Sequence, residues 1–269
     1  MRRSNSSVEA EGSKSSGKLR FYKQTVVWVP TRLGVLALAM FIGLPTITWL
    51  IFGESFLMHD NRVTAQVLVI DAWIGVTGVQ AAAEEFRKGG YQSVLTTGGT
   101  TWEGWKETPM NCSALAAADL ASYGIPKQRI IEVTVPDVQR QRTFTAAAIA
   151  WQTLKKRGIE PEGLNVFTFA MHARRTQLVF SKVFPNSKVG SIGWEESYYI
   201  QGPWWRSSER AKDFLVESVG YFYELLFNSG RRSNLPTAVQ PAVSESASND
   251  LHKSWTERTT GVLPKTSDR

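Results

Sequence analysis

The residues of this 269-residue chain best placed to do chemistry are cations that stand where a helix prefers acid. The stretch Phe167-Thr168-Phe169-Ala170-Met171-His172-Ala173-Arg174-Arg175 reads as a buried strand running directly into a helix. His172, Arg174 and Arg175 then fall in the first turn. A helix N-terminus carries partial positive charge, so a cation there is unfavourable unless something negative lies close by. The same pattern occurs upstream, where Arg140-Gln141-Arg142-Thr143 precedes a helix expected over residues 144–157. Two such starts together point to one anion-binding site. Arginine suits phosphate in particular, because its planar fork donates paired hydrogen bonds. His172 is open to three readings: a general acid/base, a phosphate donor or a hydrogen-bonded loop histidine.

The elements that must position these groups follow from hydrophobic patterning. Compact runs rich in Val, Ile and Leu predict strands over residues 66–71, 93–97, 129–133, 165–170 and 188–192. Helical spacing predicts helices over 76–88, 111–123, 144–157, 173–183 and 208–227. Strand and helix alternate, which implies a three-layer, Rossmann-like α/β domain with a mostly parallel sheet over residues 66–228. Ligands of such sheets bind outside the carboxyl ends of the strands. That edge gathers Asp71 and Trp73, then Thr96, Thr97, Gly98 and Gly99 with Glu103 and Glu107, then Asp137, Arg140, Arg142 and Thr143, then His172, Arg174 and Arg175. The Gly98-Gly99 pair is expected either as a close backbone approach to ligand or as a plain tight turn. Each arginine has a competing reading as the structural partner of Asp71, Glu103, Glu107 or Asp137. The candidate ligand-binding set is therefore Gly98, Gly99, Arg140, Arg142, Thr143, Arg174, Arg175, Asp71 and Glu103, with His172 as the candidate acid/base.

Composition narrows the classes. The chain is 42% hydrophobic and 20% charged, with a formal net charge of +7, much of it in residues 1–32. With no Arg/Lys-rich helix interleaved with aromatics, nucleic-acid binding is not favoured. Three histidines (His59, His172, His252) without paired spacing and the single Cys112 give poor support to a metal. No cofactor is named by the residues. Neither a P-loop, a G-x-G-x-x-G turn nor a G-x-S-x-G elbow is present.

Residues 33–53 carry no charge, long enough to cross a bilayer core as a helix, with Trp28 and Trp49 at the interfaces. The basic residues 1–32, expected to be disordered, mark the cytoplasmic side by the positive-inside rule. Residues 54–65 form a linker, and the Ser/Thr/Pro/Asn-rich tail 229–269 is expected to be disordered. The chain reads as a single-pass protein of the plasma (inner) membrane with its α/β domain outside. An aromatic group, Trp194, Tyr198, Tyr199, Trp204 and Trp205, could wall the site, stack a sugar, rest on the membrane or pack the last helix.

The order of motifs resembles the DUF218 family, also called the ElyC/SanA/YdcF family, over about residues 66–226. The segments VLVIDAW (67–73), TTGG (96–99), LASYGIPKQRI (120–130), RQRTFTAA (140–147) and MHARRTQLVF (171–180) carry the resemblance, His172-x-x-Arg175 and Gly98-Gly99 most specifically. It implies a Rossmann-like fold and, for membrane-anchored members, a role in cell-envelope biogenesis. Two elements depart from the family pattern. The first strand ends Asp71-Ala72-Trp73 rather than in a Gly-rich turn, and Arg142-Thr143-Phe144-Thr145-Ala146 replaces Asn-Thr-x-Glu-Asn, marking a divergent branch.

The expected function is binding of a phosphate-bearing or otherwise anionic envelope precursor, such as a lipid-linked sugar, with hydrolysis or transfer of that group through His172. The alternatives are a nucleotide or S-adenosylmethionine-type ligand at the sheet's switch point, and a non-enzymatic envelope scaffold. Thr-Thr-Gly-Gly stands where a ribose-binding acid would favour the nucleotide reading.

Overall fold

A computed structural model of the chain describes residues 29–101, 110–136, 141–196, 199 and 202–227. Trp28, Glu103, Glu107, Asp137, Arg140, Tyr198, the segment before residue 29 and the tail 229–269 lie outside the described residues. The chain divides into two compact units, residues 1–47 and 48–269.

Helix α1 (Arg32–Leu57) begins in the first unit and ends in the second. Its 26 residues span about 39 Å at 1.5 Å per residue, more than a bilayer core requires. It is long and apolar enough to cross a membrane, with a mean hydropathy of 2.2 over its most apolar stretch. Pro45 lies inside it.

The second unit alternates strand and helix, as the patterning requires. The elements are β1 (Val67–Asp71), α2 (Gly75–Lys88), β2 (Ser93–Thr101), β3 (Met110–Asn111), α3 (Cys112–Ser122), β4 (Ile130–Val135), α4 (Arg142–Lys156), β5 (Gly163–Phe169), α5 (Ala173–Val183), β6 (Lys188–Trp194) and α6 (Ser208–Leu226). Short 3₁₀ turns link β1 to α2 and β5 to α5. Five strands pair in parallel in the order β4-β2-β1-β5-β6, and the two-residue β3 pairs antiparallel with the end of β2.

All five residues of β1 are buried because helices cover both faces of the sheet. Leu68 and Ile70 join one core with Val79, Ala82 and Phe86 of α2 and Ala116 and Leu120 of α3. Val67 and Val69 join the other with Ala147 and Leu154 of α4 and Val179 and Phe180 of α5. The crossovers therefore change face between β1 and β5. Counted among the parallel strands alone the order is 3-2-1-4-5, so the switch point of this Rossmann-like sheet lies between the ends of β1 and β5.

Two expectations are corrected. Gly98-Gly99 does not close β2 in a turn: the strand runs through both, pairing Gly98 with Thr134 and Gly99 with Val135 of β4. A Cβ at Gly98 would come within 3.0 Å of Ala72 Cβ and the Ser113 nitrogen, so the missing side chain makes room for α3 against the β1 end. Residues 54–65 are not a free linker. Asn61 forms an antiparallel bridge with Ser191, Asp60 accepts a 2.6 Å hydrogen bond from the Gly193 N–H, and the Val63 N–H donates to Asn165 Oδ1. The segment satisfies the outer edge of β6, which would otherwise expose unpaired backbone.

Candidate functional site

The site begins with Asp71, the last residue of β1 and 6% exposed at the switch point. A buried carboxylate needs donors, and two threonines from the flanking strands supply them. Thr168 Oγ1 of β5 donates to Oδ2 at 2.7 Å, and Thr97 Oγ1 of β2 shares its proton between the Ile70 carbonyl at 3.1 Å and Oδ1 at 3.3 Å. Asp71 therefore ties three strand ends together at the switch point.

Above it stands His172, N-cap of α5 and itself buried. Nδ1 lies 3.0 Å from Glu217 Oε2 of α6. On the other side of the ring, Nε2 lies 3.4 Å from Thr143 Oγ1 in the first turn of α4. Trp73, half exposed at the β1 end, meets the ring edge-on with centroids 5.6 Å apart and forms an apolar wall. Arg175 fixes the carboxylate from behind: its Nε donates to Glu217 Oε2 at 2.7 Å and its Nη2 to Oε1 at 2.9 Å. Burial pushes the Glu217 carboxyl up. The hydrogen bonds and charges of His172 and Arg175 outweigh it and hold the group down to about 2. Nδ1 has two neighbours at 3.0 Å, Glu217 Oε2, which only accepts when ionised, and Arg175 Nη2, which only donates; a proton on Nδ1 serves the carboxylate and leaves the Nε2 lone pair for the Thr143 hydroxyl.

Carboxylate, imidazole and hydroxyl in line are the layout of a base oriented by an acid. The Nε2–Thr143 separation is longer than a working hydrogen bond, as unliganded sites commonly are.

The start of α4 is unusual. Its N-cap residue Gln141 has φ 56°, the only positive φ outside glycine among the described residues, and offers no side-chain cap. Such a backbone costs about 1–2 kcal/mol and tends to collect at functional sites. Arg142 follows, exposed, as the first residue of the helix.

Of the five expected cations Arg140 lies outside the described residues, and the other four do not all share one site. Arg175 pairs with Glu217, a carboxylate the sequence does not single out, and its Nη2 also lies 3.0 Å from His172 Nδ1. Arg174 turns the other way: its Nε donates to the Phe56 carbonyl at 3.2 Å and its guanidinium lies 4.7 Å above the Phe56 ring. Arg142 precedes Thr143 at the start of α4, exposed to solvent. Gly98 and Gly99 sit inside β2. Glu217 was detectable in principle: Arg210, Glu217 and Glu224 recur every seven residues on the buried face of α6, and buried charges on an apolar face require partners.

Of the aromatic group, Trp204 and Tyr199 pack against the last helix, whereas Trp194 rests on the core of β1, α2 and α3 and Trp205 is exposed. Trp204 stacks on Phe214 at 4.2 Å and donates from Nε1 to the Leu50 carbonyl. Tyr199 meets Phe169 edge-on and donates its hydroxyl to Asp213 at 2.6 Å. Burial, then the hydrogen bond to Asp213, pushes the Tyr199 phenol far up, so it stays neutral. A separate cleft of about 430 Å³ follows the groove between α4 and α5, lined by Trp151, Leu154, Ile159 and Phe184, and holds none of the His172 group. No group of histidines, cysteines and acids suited to a metal ion occurs among the described residues.

The fold and site define a parallel, Rossmann-like α/β domain joined to one helix apolar enough to span a bilayer. No family model, curated protein or solved structure matches the chain.

Proposed function

We propose that the protein is a membrane-anchored member of the DUF218 type whose α/β domain lies outside the cell. Its switch-point crevice binds a phosphate-bearing envelope precursor, such as a lipid-linked sugar, and His172 moves a proton during hydrolysis or transfer of that group. The observation that carries this reading is the line Glu217 Oε2–His172 Nδ1 and His172 Nε2–Thr143 Oγ1, at 3.0 and 3.4 Å, built at the ligand-binding edge. In this reading His172 is the catalytic residue: Nε2 takes the proton of the attacking water or acceptor hydroxyl as that oxygen bonds to phosphorus, the P–O bond to the leaving group breaks, and the imidazolium, stabilised by Glu217, returns the proton to the leaving oxygen. Glu217 and Arg175 are positioning residues. Arg142 and the N–H groups of the first turn of α4 receive the anion, which explains a cation at a helix start. Trp73 forms an apolar wall beside the imidazole.

Supporting the anchor is α1; supporting the outward orientation are the basic residues ahead of it. The nucleotide reading is weaker, since β2 runs on through Gly98-Gly99 and brings no acid to a ribose among the described residues.

The test is calorimetric titration of the detergent-solubilised full chain with inorganic pyrophosphate. Arg142→Ala is expected to weaken binding roughly tenfold or more, the weight of a charge-assisted hydrogen bond. His172→Gln should leave binding within a few-fold while abolishing phosphate release from a polyprenyl pyrophosphate. An affinity unmoved by Arg142→Ala refutes the anion assignment, and turnover surviving His172→Gln refutes the acid/base assignment.

A further inference from the structure

Helix α6 has its polarity reversed. Its buried face carries the charges: Arg210 pairs with Glu54, Glu217 with Arg175, and Glu224 with Lys182. The outward face is apolar. Leu215, Val216, Val219, Phe222, Tyr223 and Leu226 follow one another at helical spacing and are all exposed, Val219 and Leu226 each at 71%. From Phe214 to Phe227 no charged residue is exposed. In water a surface helix turns its charges outward and its apolar stripe to the core. Ionisable groups that pair inward while the outer face is aliphatic and aromatic belong to a helix facing lipid.

The neighbours of α6 agree. It runs antiparallel to the last turns of α1. Arg210 meets Glu54, Phe214 packs on Gly53 and Trp49, Trp49 Nε1 donates to Ser218 Oγ at 3.0 Å, and Phe222 lies 4.7 Å from the Trp49 ring. Trp49 lies where the apolar stretch of α1 ends, the depth at which tryptophan marks a membrane interface. The C-terminal turns of α6 therefore lie at and beyond the level of Trp49.

We propose that the outward face of α6 is embedded in the outer leaflet of the bilayer, making α6 a second membrane element that holds the α/β domain against the lipid. This rests on the reading of α1 as a membrane span. The lipid, rather than a second copy of the chain, is the occupant because the face continues from the end of α1. The exposed chemistry at Tyr223 and Phe227 also suits an acyl and headgroup boundary.

The test is electron paramagnetic resonance on the full chain in phosphatidylethanolamine/phosphatidylglycerol vesicles. Single nitroxides are placed at Val219→Cys and Leu226→Cys in a Cys112→Ala background. Leu38→Cys in α1 and Lys88→Cys at the end of α2 serve as references, and circular dichroism checks each fold. Embedding predicts that residue 226 approaches residue 38, open to oxygen and closed to the nickel complex NiEDDA, and that residue 219, level with Trp49, lies between residues 38 and 88 in its nickel access. Nickel access equal to that at residue 88, with residue 38 buried in lipid, places the face in water and overturns the proposal while sparing the span. Low access to both reagents means that protein, a second copy or the chain beyond Phe227, covers the face, which also overturns it. Nickel access at residue 38 sinks the span and this proposal together.

Discussion

Glu217 decides more about the site than any arginine singled out by the sequence. It holds the His172 ring in one orientation, it accepts from Nε and Nη2 of Arg175, and it stays ionised because those partners outweigh its burial. A carboxyl held near 2 in the fold, against 4.5 when unperturbed, contributes stability that is full above about pH 4.5 and disappears as pH falls through about 2. Glu217→Gln is therefore expected to cost on the order of 3 kcal/mol at pH 7 and roughly half of that or less at pH 3. Urea unfolding of both proteins at the two pH values checks this; a gap that does not narrow in acid means that the ion pair does not stabilise the domain. Arg174 and Arg175 part at this scale for a physical reason. Residue type shows that Arg174 and Arg175 need partners, yet adjacent helical residues point about 100° apart, so the two were bound to meet different neighbours. One found the Phe56 ring, the other Glu217.

At the scale of elements, α6 is zipped to its neighbours by ion pairs seven residues apart, and the close approach of α5 depends on Gly220. A Cβ at that position would lie 2.9 Å from both Cδ and Nε of Arg175. Gly220→Ala is expected to push the guanidinium off Glu217, lower stability by about 1–3 kcal/mol and free the His172 ring. Thermal melting together with the ¹⁵N shifts of the imidazole would show it; an unchanged melting temperature and unchanged ring shifts would mean that α5 and α6 part without cost. Most elements were legible because their patterning is strong. The helix over 173–183 has the same bounds in sequence and structure, and β1 differs by one residue. The end of β2 was not legible. Gly98-Gly99 carries the local signature of a turn, and only the pairing of both with β4 and the approach of α3 keep them in the strand. The short β3 exists solely as a partner for that extension.

At the scale of the molecule, an apolar helix of 26 residues next to a +7 chain with a basic beginning sets the proposed topology. A maleimide that cannot cross membranes should label Lys88→Cys, in a Cys112→Ala background, on intact spheroplasts; labelling only after lysis would reverse the orientation. What the sequence determined by itself is what depends on near neighbours along the chain: the period of each element, the α/β class that alternation implies, and an uncharged run long enough for a bilayer. What only the tertiary structure decided is which side chains, remote in sequence, share a crevice. Asp71 found Thr97 and Thr168, His172 found Thr143 and Glu217, and Arg174 found Phe56 across 118 positions. Local periodicity sets the direction in which a side chain leaves its own helix. Its partner is set by strand order and by the face on which each crossover lands, and no stretch of neighbouring residues encodes either.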